Sequence, residues 1–256
     1  MLRKASLALA AFAVVGGWFS AVSAADIGNA IAVSNVVTAA FATDKRRLKI
    51  GDDVRQDEVI EVGAKSLGEL QFKDQTKLAL GPGARLVLDK FVYDPEQTTG
   101  SIVMNLAKGT FRFITGIAAK PTYRINTPTA SISVRGTIFD IDVAANGATW
   151  LLLIEGSVEV CNLQGVCRVL DEPGKIIRVD PVGKVAPPTR WTGIPKSQRI
   201  NFEHRFPFVD SPPSIDPAPI LNKQTILWGV LPLIPRRRGD ITPPGGGTRL
   251  HPGLSR

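Results

Sequence analysis

Apolar side chains recur at every second position through short segments of the chain. Leu70 and Phe72 alternate with polar neighbours, and the pattern returns at Ile132 and Val134. Segments of four to six residues with this spacing, bounded by glycine, proline, asparagine or aspartate, indicate half-buried β-strands. The same alternation predicts strands around Leu78 to Leu80, Leu86 to Leu88, Ile102 to Leu106, Phe139 to Val143, Val158 to Val160 and Ile176 to Val179.

One strand and one turn stand out within this pattern. Residues 150–154 are apolar at every position, which predicts a strand covered on both faces and therefore central. Gly81, Pro82 and Gly83 predict a turn, because proline fixes φ and glycine permits positive φ. An all-β sandwich, a barrel or a short β-solenoid would each suit strands of this length, and periodicity alone does not choose among them.

The first 24 residues predict a cleavable secretory signal peptide. Arg3 and Lys4 precede a short apolar run, and Val22 and Ala24 provide the small side chains expected before a cleavage site. We expect cleavage after Ala24 and a periplasmic or secreted mature protein. The apolar stretch at 226–234 is too short to span a bilayer, so no transmembrane segment is expected after cleavage.

Charge and proline divide the rest of the chain near residue 185. Residues 25–185 carry 19 Lys/Arg and 19 Asp/Glu, whereas residues 186–256 carry 10 and 4, with 13 of the 19 prolines. We therefore predict one all-β domain over 25–185 and a basic, proline-rich, largely disordered tail over 186–256. Its aromatic residues could hold part of it to the core: Trp191, Phe202, Phe206 and Phe208. Such a tail could bind an anionic polymer, or serve only for solubility.

The two cysteines, Cys161 and Cys167, flank a five-residue turn sequence. Opposed positions on a hairpin lie within disulfide range, and export favours oxidation. We predict a structural disulfide rather than a redox or metal pair.

Several runs resemble the FecR domain family. They are INTPTASISVRGTIFDIDV at 125–143, IEGSVEV at 154–160 and EPGKIIRVDPVG at 172–183, preceded by related sequence at 50–88 and 108–116. The resemblance implies an extracytoplasmic all-β module, a twisted, solenoid-like stack of short strands, with a β-sandwich as the alternative. Its motif residues here are Thr127, Pro128, Arg135, Gly136, Thr137, Glu155 and Gly156. We do not expect this chain to share the iron-signalling role of the members that give the family its name. Those members have a cytoplasmic sigma-binding segment before the hydrophobic stretch, and residues 1–24 show no such segment.

Candidate chemistry is sparse, and we expect no enzyme, cofactor or metal site. Both histidines, His204 and His251, fall in the proline-rich tail, away from the predicted core. Asp140 and Asp142 share a strand face and could form an acid/base or calcium site with Glu155 or Glu159, but a solvated strand face is the simpler interpretation.

Two further groups of charged residues are candidates for a site. Asp52, Asp53, Asp57 and Glu58 offer only a weak calcium signal. Arg135 and Glu155 each stand where a strand ends before glycine, and we expect them to be partly buried and paired with each other or with backbone groups. An anion or partner contact is the alternative.

Two functions remain open from the sequence. The leading one is a non-catalytic binding or scaffolding module of the cell envelope, contacting an envelope protein or an anionic glycan. The alternative is an accessory component of an envelope signalling or secretion system that reports to a separate membrane partner. Hydrolysis of an envelope polymer is a third, weaker option, and no nucleic-acid partner is expected.

Overall fold

The computed structural model describes residues 24–93, 100–117, 123–134, 136–199, 201–216 and 221–228. Within these ranges it has 17 strands, numbered in chain order, in an open mixed arrangement. The predicted all-β fold of short strands is confirmed. The strands form two hydrogen-bonded layers that share one long strand, and we call these layers the front sheet and the back sheet.

The front sheet runs in the order β4 (Asp53–Arg55), β1 (Asp26–Ser34), β6 (Leu67–Phe72), β7 (Lys77–Leu80), the second half of β9 (Ser101–Ile114), β12 (Ile138–Val143), β13 (Thr149–Glu155), β16 (Lys175–Val179) and β17 (Thr189–Arg190). The back sheet runs in the order β3 (Asp44–Arg47), β2 (Val37–Phe41), β5 (Val59–Val62), β8 (Arg85–Val92), the first half of β9, β10 (Tyr123–Asn126), β11 (Ala130–Val134), β14 (Val158–Asn162) and β15 (Cys167–Leu170). Among these strands of the described ranges, only the pairing of β9 with β10 is parallel.

The chain changes sheet after every one or two strands, as a stack of short strands does. β10 and β11 pair in the back sheet, β12 and β13 in the front sheet, and β14 and β15 in the back sheet again. The strand β9 passes from one sheet to the other at Gly109, where φ is +103°. A Cβ at Gly109 would lie 2.5 Å from the Cα of Ala84, so only glycine fits this crossing.

The main hydrophobic core lies between the two sheets. Strands of both sheets contribute alternate residues to one continuous buried cluster, including Phe111 and Phe113 of β9, Phe139 of β12 and Ile132 of β11. This is the packing that the alternating pattern predicted.

A third layer covers the outer face of the front sheet. It consists of short 3₁₀ turns at Trp191–Gly193 and Lys196–Gln198 and of the helices α1 (Phe202–Arg205), α2 (Pro207–Asp210) and α3 (Lys223–Trp228). We call residues 191–216 and 221–228 the C-terminal layer. No helix of the described ranges is long and apolar enough to cross a membrane.

The strand β13 shows why this layer is needed. Leu151 and Leu153 point into the main core, whereas Trp150, Leu152 and Ile154 point outwards and pack against the C-terminal layer. The prediction of a strand covered on both faces is thus confirmed. Its outer cover comes from the beginning of the predicted tail, through Trp191, Phe202 and Phe206. The rest of the tail, after residue 228, lies outside the described residues.

Candidate functional site

A row of polar side chains crosses the outer face of the front sheet. In the ladder between β9 and β12, Arg112 stands opposite Asp140 and Thr110 opposite Asp142. All four residues are buried, because the C-terminal layer lies over them. The expectation of an ordinary solvated strand face for Asp140 and Asp142 is therefore wrong. A sequence pattern shows which face of a strand a residue occupies, but not whether a distant segment covers that face.

Arg112 binds two carboxylates. Its Nε and Nη2 donate to the two oxygens of Asp140 at 2.6 and 2.8 Å, and its Nη1 pairs with Asp216 of the C-terminal layer. Burial acts to lower the pKa of Arg112, but the hydrogen bonds and charges of Asp140 and Asp216 outweigh it, so the pKa is raised. Arg112 therefore stays charged and ties the C-terminal layer to the sheet.

The Asp140 carboxyl has an unfavourable environment despite this partner. Burial raises its pKa, Arg112 acts against that shift, and the neighbouring carboxylate of Asp216 adds to it. One guanidinium thus serves two buried carboxylates. The folded protein accordingly favours a proton at this position more than the unfolded chain does.

A second buried pair joins Asp142 to Arg205 of α1. The guanidinium of Arg205 also lies over the ring of Trp150, 4.3 Å from its centroid, which is a cation–π contact. Burial raises the pKa of Asp142, against the charge of Arg205. Asp140 and Asp142 are therefore each paired with an arginine. Glu155 lies at the exposed end of β13 and Glu159 lies in the back sheet, so the four carboxylates do not form the predicted acid/base or calcium site.

Beside Asp142, the front sheet and α1 enclose a cleft of about 500 Å³, here called the lateral cleft. Thr110, Asp142 and Lys108 line it from the sheet, and Glu203 and His204 line it from α1. Sequence reasoning placed His204 away from any site because it lies in the proline-rich region. The ion pair of the adjacent Arg205 with Asp142 brings it to the cleft. In the described ranges, no three His, Cys, Asp or Glu side chains converge as a metal ion would require.

The first part of the motif forms a buried threonine cluster. The hydroxyls of Thr127 and Thr149 lie 2.7 Å apart, and the Thr127 hydroxyl accepts from the backbone N–H of Ala130 at 3.0 Å. The Thr129 hydroxyl donates to the carbonyl of Gly147 at 2.8 Å. Pro128 packs over Gly147, where an added Cβ would lie 3.3 Å from the Cβ of the proline. These residues lock the β10–β11 turn to the turn before β13, which is a structural role.

The second part of the motif forms a close backbone crossing. The N–H of Thr137 donates to the Thr115 hydroxyl at 2.7 Å, and the N–H of Thr115 donates to the Thr137 carbonyl at 3.1 Å. Gly156 has φ of +84°, and a Cβ there would lie 2.1 Å from the carbonyl oxygen of Gly136. Glycine is therefore required at position 156.

The structure tests only half of the predicted pair between Arg135 and Glu155. Glu155 is exposed at the end of β13, so the expectation that it is partly buried is wrong. The strand ends there, and no other element of the described ranges covers the side chain. Arg135 lies outside the described residues, and its pairing with Glu155 stays a prediction.

Two of the four acidic residues in the calcium signal at 52–58 are engaged in internal contacts. Asp52 accepts a hydrogen bond from the backbone N–H of Lys49 at 2.8 Å. Glu58 is buried and binds Arg46 at 2.7 Å and the backbone N–H of Arg55 at 2.9 Å. Both carboxylates therefore hold the chain together locally.

The predicted disulfide between Cys161 and Cys167 is confirmed. The two residues are directly opposite each other on β14 and β15, and the bond closes this hairpin at its turn. The neighbouring turn at 180–184 is attached to it, because the side chain of Asn162 donates to the Gly183 carbonyl at 2.7 Å. The hairpin and this turn expose four aliphatic side chains, here called the hairpin patch: Leu163, Val166, Val169 and Val182.

The fold and these sites define an all-β module whose buried charges are engaged within the protein. A family model described as FecR protein matches residues 58–159. This part of the chain therefore resembles the FecR family, and the predicted resemblance is confirmed. The match runs from the start of β5 into β14 and includes all seven motif residues.

Solved structures and curated proteins add two further comparisons. Two crystal structures of a candidate anti-sigma factor from Parabacteroides distasonis align with this chain at 17% and 19% identity and a TM-score of 0.41. Each alignment covers 50% of this chain and 57% of that protein, so the chain spans little more than half of its length. No curated protein matches the chain.

Proposed function

We propose that this protein is a non-catalytic binding module of the cell envelope and that it binds another envelope protein through the strand β15. The observation that carries the proposal is the hairpin patch, of which Val169 lies on β15 and the other three residues lie in the adjoining turns. Val169 is 51% exposed on β15, and Leu163 and Val182 are 69% and 86% exposed beside it. Several exposed aliphatic side chains on one hairpin and the turn bonded to it are typical of a protein-binding surface.

The position of β15 suits a particular mode of binding. It closes the back sheet, with β14 as its paired neighbour. An edge strand offers backbone N–H and C=O groups to an incoming extended segment, while neighbouring side chains provide specificity. The Cys161–Cys167 bond holds the hairpin in one conformation, which lowers the ordering cost of binding.

The buried carboxylates support a binding role rather than catalysis. Asp140 and Asp142 are each held by an arginine, so both are committed to joining the C-terminal layer to the sheet. The FecR domain, together with the predicted signal peptide, supports a location outside the cytoplasm. N-terminal sequencing of the envelope protein should begin at Ala25, and an intact Met1 would argue against export.

Site-specific photo-crosslinking in intact cells tests the proposed surface. A crosslinker at Val169 should give one defined protein adduct, and Leu163→Lys should abolish it because a buried contact cannot accept the charge. A crosslinker at Ile50, which is 69% exposed elsewhere, is the matched control. The same adducts from both positions would contradict the proposal.

The alternative is an accessory role in envelope signalling or secretion, which the FecR domain favours. It differs from scaffolding in the identity of the partner. An adduct at Val169 with a membrane protein encoded beside a sigma factor or an adenylate cyclase would support signalling. A structural envelope protein would support scaffolding.

A further inference from the structure

The outer face of the back sheet carries a second concave surface, independent of the hairpin patch. It is a groove of about 330 Å³ lined by Thr38, Gly63, Gly83 and Ala84, among others. A Cβ at Gly83 would meet no atom within 4 Å, so the groove is open above this residue. We call it the Lys108 groove, because Lys108 lies at its border with the lateral cleft and lines both.

Three cations and one carboxylate surround the Lys108 groove. In the sheet ladder, Glu61 of β5 is opposite Arg85 of β8, and Arg85 is opposite Lys108 of β9. Arg85 and Lys108 are register partners beside a β-bulge and both line the groove, and like charges at neighbouring positions on one face are destabilising. The Arg85–Lys108 pair is therefore an unfavourable arrangement unless an anion lies between the two side chains.

The protein supplies only one carboxylate to this cluster within the described ranges. Glu61 pairs with Lys45 at 2.8 Å and with Arg85 at 3.3 Å, and the hydrogen bond and charge of Lys45, followed by those of Arg85, lower its pKa. Lys108 has no carboxylate partner within ion-pair distance among the described residues. The groove thus keeps a surplus of positive charge, and Lys45 and Arg85 remain 56% and 41% exposed and accessible to a ligand.

We propose that the Lys108 groove binds the carboxylate of an acidic saccharide, held between Arg85 and Lys108. Lys45 and Arg85 of this groove already bind one carboxylate, that of Glu61. The floor suits a sugar ring because Gly63, Gly83 and Ala84 leave open space, and the Thr38 hydroxyl offers a partner for a sugar hydroxyl. Bound carboxylate would also remove the repulsion between the two opposed cations.

Calorimetric titration of the full-length mature protein with trigalacturonate tests the proposal. We expect measurable binding that weakens at least tenfold in Lys108→Ala and in Arg85→Ala. Lys73→Ala removes the same charge from an exposed turn on the front sheet and should leave binding unchanged. The methyl ester of the same saccharide, which lacks the negative charges, should not bind.

Three outcomes would overturn the proposal. Equal binding of the methyl ester would exclude carboxylate recognition. Equal loss in Lys73→Ala, or no loss in Lys108→Ala, would show that overall charge or the basic C-terminal sequence binds the saccharide. Equal binding of a glutamate trimer peptide would show that the groove recognises charge and not a sugar.

A stability measurement separates ligand binding from a structural role of Lys108. Since Lys108 faces a like charge, Lys108→Ala should leave the melting temperature of the free protein unchanged or raise it. Trigalacturonate should raise the melting temperature of the unmodified protein and not that of the variant. A clear drop in the free variant would assign Lys108 to the fold and contradict the proposal.

Discussion

Arg112 and Asp216 lie 104 positions apart in the sequence, yet they form an ion pair in which both side chains are almost fully buried. Arg112 belongs to the strand shared by both sheets, and Asp216 belongs to the C-terminal layer. Their contact attaches that layer to the front sheet at the same point where Arg112 holds Asp140. The free energy of unfolding should therefore depend strongly on the side chain of Arg112.

Replacing Arg112 by leucine should destabilise the protein by about 3 kcal/mol or more, because it leaves two buried carboxylates without a cation. Replacing Arg112, Asp140 and Asp216 by leucine together should cost less than the single change, since no buried charge remains. Urea unfolding measures both. Lys73→Leu, at an exposed position, should shift stability by no more than about 0.5 kcal/mol. A triple variant less stable than the single variant would contradict this explanation.

Stability should also depend on pH through Asp140. Because its folded-state pKa is raised, the folded protein binds the proton more tightly than the unfolded chain does. The stability gained from this tighter proton binding is fully present below pH 3.8, the ordinary pKa of an aspartate. It is lost as the pH rises through the pKa of Asp140 in the folded protein.

Urea unfolding at a series of pH values isolates this effect when Asp140→Asn is compared with the unmodified protein. The unmodified protein should lose stability relative to the variant as the pH rises above 3.8, because asparagine does not ionise. Asp44→Asn, on an exposed strand, serves as the control. A constant difference between Asp140→Asn and the unmodified protein across the pH series would reject the raised pKa.

A chain shortened to end at Arg190 should aggregate. It loses the cover over Trp150, Leu152, Ile154 and Ile176, which would leave a continuous apolar face exposed to water. A chain ending at Trp228 keeps the C-terminal layer and should unfold in one cooperative transition. Light scattering and circular dichroism distinguish the two. A soluble, cooperative short chain would show that the layer is dispensable.

The disulfide should contribute about 2 to 3 kcal/mol, as expected from loop entropy for a ring of this size. Thiol labelling of the exported protein should detect no free cysteine before reduction. Cys161→Ala with Cys167→Ala should lower the melting temperature while retaining the β-type circular dichroism, because the hairpin is also held by the β14–β15 ladder. Full labelling of untreated protein would disprove the bond in the exported form.

The sequence by itself determined the strands, the main turns and the disulfide of this protein. These features depend on side-chain period, on the φ preferences of glycine and proline, and on residues close together along the chain. The doubly apolar stretch at 150–154 even required an outer cover on β13, although it did not say which segment supplies it.

Only the tertiary structure decided which charges are buried. Asp140 and Asp142 sit in an alternating strand that looks like one with a solvated face, and only the docking of Arg205 and Asp216 from distant positions buries them. His204 enters the lateral cleft for the same reason. The opposition of Arg85 and Lys108 likewise depends on the register of β8 against β9, which hydrogen bonding between strands sets and local sequence does not encode.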